Sequence, residues 1–246
     1  MAHWINGTVV ENRAWTDRLH SLQVDAAIAP FTAGQFIKLG MIIDGEEVGR
    51  PYSLVNPPQR APLEFCFSVV ADGPLSGRLA ALDPGEQVLL APRANGFLVL
   101  GEVPPARHLW LVSTGTGIGP FLAILRTDEP WRRFERVVLV HAARLASELI
   151  YRDVIEGIAA AHDGQFGYVP LVSREPTDFA LSGRIPAAIA AGTLEARGGA
   201  LIDAQSHVML CGNPQMIIDA EKALIARGLR KHRRREPGHV TVESYW

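Results

Sequence analysis

Leu109-Trp110-Leu111-Val112-Ser113-Thr114-Gly115-Thr116-Gly117-Ile118-Gly119-Pro120 decides the fold. Four apolar residues without alternation read as a strand buried on both faces, Leu109–Val112. Glycines at alternate positions then break it, and Pro120 suits the first turn of a helix running to Leu125. Downstream the same alternation recurs. Strands are expected at Val137–His141, Tyr168–Val172 and His207–Cys211, and helices at Leu149–Ala160, Ile185–Ala191 and Pro214–Ala226. Strand alternating with helix means a parallel sheet covered by helices. Upstream, from Trp4 to about Gly101, the rhythm is different. Short apolar stretches (Gln35–Leu39, Tyr52–Val55, Leu63–Val70, Gln87–Ala91) stand between Gly, Pro and Asp, as in an antiparallel barrel or sandwich. A short helix, Ser76–Leu82, interrupts them. Pro104-Pro105 reads as a linker, so the chain divides into 1–101 and 102–246.

The 246 residues suffice for one large domain or two of ordinary size, and a 48% hydrophobic composition supports a substantial core. A net charge of −2 argues against a nucleic-acid binder. The run Arg230-Lys231-His232-Arg233-Arg234-Arg235 reads instead as the solvated basic end of the last helix, favoured by its dipole, or as a docking patch for an acidic partner. Cys66 and Cys211 lie in apolar runs, as buried reduced thiols do, and two cysteines cannot ligate an iron–sulfur cluster alone. The eight histidines show no metal-ligand spacing. Neither a signal pattern nor an apolar run of spanning length is present, so a cytoplasmic protein is expected.

Ligands of an open parallel sheet bind beyond the carboxyl ends of its strands. Four such segments stand out. Ser113-Thr114-Gly115-Thr116-Gly117-Ile118-Gly119-Pro120 lets backbone approach a diphosphate, or is simply a tight strand–helix turn; its spacing is neither the Rossmann fingerprint nor a P-loop. Ser173-Arg174 and Arg184, with Arg144 after the preceding strand, offer a hydroxyl and guanidinium groups, which suits a nucleotide 2′-phosphate better than a free ribose hydroxyl. Cys211-Gly212-Asn213-Pro214-Gln215 offers a wall for a flat ring, or simply a packed thiol and a helix N-cap. In the first half, Arg50-Pro51-Tyr52-Ser53 combines a cation, a ring and a hydroxyl suited to a flavin nucleotide. Asp72-Gly73-Pro74-Leu75-Ser76 places Ser76 as the expected cap of the short helix. Two phosphate sites, one per half, imply two nucleotides.

With these residues assembled, the sequence resembles the ferredoxin–NADP+ reductase family, specifically the bacterial flavodoxin/ferredoxin reductases, over essentially its whole length. Arg50-Pro51-Tyr52-Ser53 matches the family's Arg-x-Tyr-Ser motif, and Gly73-Pro74-Leu75-Ser76 its Gly-x-x-Ser motif. Gly115 to Pro120 matches the NADP loop and Cys211-Gly212-Asn213-Pro214 the Cys-Gly loop. Val242-Glu243-Ser244-Tyr245-Trp246 resembles the class ending in Tyr-Trp.

The resemblance implies a six-stranded antiparallel FAD-binding β-barrel followed by a parallel-sheet NADP-binding α/β domain. It further implies an enzyme moving electrons between NADP(H) and ferredoxin or flavodoxin. Carried over by position, Tyr52 stacks on the flavin ring and Ser53 lies near its reactive nitrogen. Arg50 and Ser76 hold the FAD diphosphate beside Pro51, Pro74 and Leu75, and Cys66, Phe67, Ser68 and Val69 run along the cofactor. Thr116 touches flavin or nicotinamide, and Tyr245 and Trp246 stack on the FAD. Gly115, Gly117, Asn213, Pro214 and Gln215 face NADP, while Ala143, Arg144, Ser173, Arg174 and Arg184 grip its adenosine end. Cys211 and Glu243 flank the site of hydride transfer, with Ser53 the third residue expected to take part in the chemistry. Transient electrostatic docking of the carrier, a monomer and no membrane contact complete the expectation. The alternatives within reach are the reductase component of an oxygenase, which when fused carries a cluster domain absent here, and a non-catalytic flavin-binding regulatory protein, which needs the loss of a nicotinamide-site feature.

Overall fold

A computed structural model describes residues 4–244 and separates the chain into two compact units. The first comprises 1–99 together with 119–126, and the second comprises 100–118 and 127–246.

The first unit is a six-stranded antiparallel sheet built from β1 (Ile5–Ala14), β2 (Leu19–Asp25), β3 (Phe36–Ile43), β4 (Glu46–Ser53), β5 (Leu63–Ser68) and β6 (Gln87–Leu90), in the order β4-β3-β6-β1-β2-β5. Its two edges meet through a single bridge, Leu54 to Phe65, so the sheet is barrel-like without full closure. Asp44-Gly45 turns β3 into β4, with Ile43 paired to Glu46. Both turn residues have positive φ (52° and 85°), the geometry that matches the twist of a two-residue hairpin. Inside lie Leu22, Ile37, Leu39, Phe65 and Leu90, all fully buried. One helix, α1 (Ser76–Ala80), follows β5 and packs Leu79 inward. Asn12 of β1 completes it by donating from Nδ2 to the carbonyls of Leu79, Ala80 and Leu82 (2.9–3.2 Å). The expected Ser76 cap is not formed: the cap position is Leu75, and Ser76 is the first helical residue. Its Oγ turns back to accept from the Val70 N–H (2.9 Å), holding the loop that leads into the helix.

The second unit carries β7 (His108–Thr114), β8 (Arg136–Ala143), β9 (Phe166–Val172), β10 (Leu181–Ser182), β11 (Ser206–Gly212) and β12 (Val240–Ser244), all parallel, in the order β10-β9-β8-β7-β11-β12. The intervening helices are α2 (Gly119–Leu125, grouped with the first unit), α3 (Glu129–Arg133), α4 (Arg152–Ala161), α5 (Ile185–Ala190), α6 (Thr193–Gly198) and α7 (Pro214–Ala226). The central strands β7, β8 and β11 are buried almost end to end, which is why they read as continuous apolar runs. Trp110, the largest buried side chain, fits because Gly198 leaves room; a Cβ there would lie 2.7 Å from the indole. Burying a Leu- or Val-sized side chain contributes about 1.5–3 kcal/mol, so this sheet is the stable platform for the loops at its carboxyl edge.

The structure corrects the reading of Arg230–Arg235. α7 stops at Ala226, and Gly228 (φ 89°) turns the chain away, so the basic run is a loop beyond the helix and gains nothing from its dipole. Within it Arg234 pairs with Glu102 in a two-armed contact, and Lys231 with Glu221 (3.0 Å). Among the described residues, no helix is long and apolar enough to cross a membrane, and no cluster of His, Cys, Asp and Glu is arranged to hold a metal.

Candidate functional site

In the second sheet the chain leaves β7 toward β8 on one side and returns as β11 on the other. That reversal opens a crevice beyond the carboxyl ends of the strands. Two segments bound it, 115–118 after β7 and 212–213 where β11 ends, and they are locked together at van der Waals limits. A Cβ on Gly117 would lie 2.6 Å from the Cys211 carbonyl oxygen, and one on Gly212 (φ 130°) 2.8 Å from that of Thr114. The Thr114 hydroxyl accepts from the Asn213 N–H (2.9 Å), so the two loops share a hydrogen bond. Asn213 is the N-cap of α7, its Oδ1 accepting from the Gln215 and Met216 N–H groups (3.0 and 3.1 Å), with Pro214 in the first turn. Asn213, Pro214 and Gln215 are exposed, Gly115 and Thr116 half-buried, and Gly117 and Cys211 buried.

Cys211 pairs in register with Glu243 of β12. Burial alone pushes the Glu243 carboxyl up to about 7, so at neutral pH it exists both with and without its proton. Tyr245 and Trp246 lie outside the described residues.

On the other side of β7, Arg144 follows β8 and Arg174 follows β9, joined by Arg174 N–H to the Arg144 carbonyl (2.9 Å), and the Ser173 N–H and hydroxyl both donate to Ala143 O (3.2 Å). Arg184 precedes α5. Ser173 and the three arginines are exposed, and Ala143 is half-buried. Among the described residues, seven other arginines are ion-paired, but none of these three has a carboxylate partner. The nearby acids are engaged elsewhere: Glu148 accepts from the Arg144 and Leu145 N–H groups (2.9 and 3.1 Å), and Glu175 from the Ala146 N–H. Backbone amides hold the carboxylates, leaving guanidinium groups free for an anion with several oxygens.

In the first unit, Arg50-Pro51-Tyr52-Ser53 ends β4, and the Leu54–Phe65 bridge sets that end beside β5, which carries Cys66, Phe67 and Ser68. Tyr52 meets Phe67 edge-on (5.7 Å between centroids), and burial pushes its phenol up to about 12, so it stays neutral. Ser53, Cys66 and Phe67 are buried, Ser68 and Val69 half-buried. Arg50 is exposed, and its guanidinium donates to the Gly49 carbonyl (2.8 Å) with no carboxylate partner among the described residues. Pro74 is exposed, while Leu75 and Ser76 are buried at the start of α1. Val69 is pinned by its N–H to the Arg18 carbonyl (2.7 Å). A neutral ring, hydroxyls and an unpaired cation form a donor set that fits a flavin with its phosphates.

Sequence reading passed over two contributors. Thr114, read only as part of the loop that follows the strand, is in fact the last residue of β7, and its hydroxyl joins the two loops. His141, counted only as the last residue of a strand, donates to the loop from inside the sheet. The signal for His141 was an imidazole in an otherwise aliphatic run.

Residues 111–222 match the model of the oxidoreductase NAD-binding domain. The chain is 49% identical to the flavodoxin/ferredoxin–NADP reductases of Escherichia coli K12 and Shigella flexneri, over 100% of each chain. Its fold matches the ferredoxin NADP+ reductase of Neisseria gonorrhoeae, solved with bound FAD and NADP, at a TM-score of 0.93 and 31% identity over 100% of both chains. With these full-length likenesses added to the two sites, the chain belongs to the flavodoxin/ferredoxin–NADP reductase family.

Proposed function

We propose that the protein is an FAD-dependent reductase that passes electrons between NADP(H) and a ferredoxin or flavodoxin. The observation that carries the reading is the set of three arginines, Arg144, Arg174 and Arg184, without carboxylate partners at one sheet edge, which suits the 2′-phosphate that distinguishes NADP from NAD. Four strand steps separate β9 from β12, about 19 Å at ordinary strand spacing. An extended dinucleotide along this edge sets its adenosine end on Ala143, Arg144, Ser173, Arg174 and Arg184. Its diphosphate and nicotinamide then reach Gly115, Thr116, Gly117 and Asn213-Pro214-Gln215.

When bound, FAD supplies the redox chemistry, taking two electrons together from a nicotinamide and releasing them singly. The side chains bind and orient. Arg50 and the Ser76 hydroxyl take the FAD diphosphate, flanked by Pro51, Pro74 and Leu75. Tyr52 offers its ring face and Ser53 its hydroxyl, and Cys66 to Val69 line the cofactor's side. Cys211 walls the nicotinamide, and Glu243, titrating at about 7, holds or yields a proton at its carboxyl oxygen. The exposed arginines and the basic 230–235 loop suit an acidic carrier, docked transiently on a monomer.

The test is direct: purified protein with NADPH and either ferredoxin or flavodoxin, with carrier reduction followed by its absorbance. Reduction dependent on FAD and faster with NADPH than NADH is expected. A protein that takes up no FAD overturns the proposal.

A further inference from the structure

His141 sits in β8, level with Ser113 of β7 and Pro170 of β9, and is 0% exposed. Val137, Val138, Leu139 and Val140 before it are equally buried and aliphatic. Its Nε2 lies 3.2 Å from the Gly115 carbonyl oxygen, which can only accept, so Nε2 carries the proton. Its Nδ1 is then a bare acceptor, buried and without a partner among the described residues. Burial pushes the ring down to about 4, so it is neutral under ordinary conditions. Buried polar atoms are nearly always satisfied, and a half-satisfied imidazole within a central strand calls for a reason.

Gly115 supplies one. It has φ 53° and opens the tight turn 115–118, and nothing lies within 4 Å of the place a Cβ would occupy. A side chain at Gly115 would meet open space, whereas Gly117 is wedged against Cys211 and Gly212. Contact holds the loop at Gly117, and the imidazole adds a hydrogen bond at Gly115, one residue beyond the end of β7. We infer that His141 is a positioning residue for the nicotinamide half of NADP(H), acting through the carbonyl of Gly115. The inference rests on the reading of 115–118 as the nucleotide loop.

The experiment compares H141L, H141N and H141Q with the unsubstituted holoenzyme. Calorimetry measures the affinity of NADP+ and of 2′-phospho-AMP, a probe that lacks the nicotinamide half. Leu donates nothing, Asn is too short to reach Gly115, and Gln carries an amide nitrogen to about the place of Nε2. Losing the hydrogen bond should weaken NADP+ about tenfold in H141L and H141N, with 2′-phospho-AMP unchanged and H141Q recovering most of the loss. If H141L yields no folded holoenzyme, the contrast between Asn and Gln decides. The role of His141 is overturned by unchanged NADP+ affinity in H141N, by equal weakening of both ligands, or by H141Q behaving like H141N. Absence of NADP+ binding in the unsubstituted protein overturns the nucleotide reading itself, and this inference with it.

Discussion

Acid should unfold the second unit partly through His207. This residue lies in β11, 1% exposed, with Nε2 2.9 Å from the Thr241 hydroxyl of β12. Burial, reinforced by the neighbouring His232 and His239, pushes its pKa down to about 3 from 6.5. The native state therefore refuses a proton that the unfolded chain accepts, so the contribution is complete above 6.5 and is lost as pH falls toward 3. The slope is about 1.4 kcal/mol per pH unit, which gives ~2 kcal/mol lost at pH 5. His141, pushed to about 4, acts in the same direction. Glu243 acts oppositely: raised to about 7 from 4.5, it adds stability as pH falls through that window. The perturbation that isolates His207 is His207→Gln, a neutral polar side chain that does not titrate. Urea unfolding followed by tryptophan fluorescence at pH 7.5 and pH 5 gives the two stabilities. The variant should be less stable at pH 7.5, with the gap to the unsubstituted protein shrinking by ~2 kcal/mol at pH 5. A gap that stays constant refutes the reasoning, since all other titrating groups cancel in the difference.

Arg174→Ala and Arg184→Ala should each weaken NADPH use about ten- to a hundredfold while leaving NADH use nearly unchanged, because a bond to a charged group is worth about 1.5–3 kcal/mol; equal losses with both cofactors in steady-state assays would count against a 2′-phosphate role. The purified protein should be yellow and release one FAD per chain on denaturation, and Arg50→Ala should lower FAD affinity about tenfold or more in a fluorescence titration. Gly117→Ala forces a Cβ to 2.6 Å from the Cys211 carbonyl, where only backbone can yield. It should cost about 1–3 kcal/mol of stability and weaken NADP+ binding with FAD content kept; an unaltered melting temperature would show that the two loops are not locked.

The parallel half was legible because its strands are buried on both faces, so Leu109–Val112 and Val137–His141 announce themselves as unbroken apolar runs. The antiparallel half was less so. β1 buries only two of its ten residues and carries a bulge between Val9 and Glu11, so neither an apolar run nor a clean alternation marks it. β4 begins at Glu46 rather than Tyr52, and its signal was the Asp44-Gly45 turn rather than its polar strand residues. The helix expected from Leu149 starts at Arg152 because Tyr151 adopts a left-handed conformation (φ 61°). α3 and α6, of five and six residues, are too short to show a helical period. The arginine edge was readable from strand ends alone. What makes it usable, Glu148 and Glu175 turned onto backbone amides, is tertiary and leaves no mark in composition.

The lock at Gly212 restricts what substitution can repair. A Cβ there would meet the Thr114 hydroxyl at once, yet removing that hydroxyl would not make room, because the Thr114 carbonyl oxygen and amide nitrogen still lie 2.8 and 3.1 Å away. No choice of side chain at Thr114 moves those atoms. A defect at Gly212 therefore has no second-site suppressor at its nearest neighbour, and an engineer widening the crevice beside this loop must work from the exposed positions Asn213 to Gln215, leaving the glycine as it is.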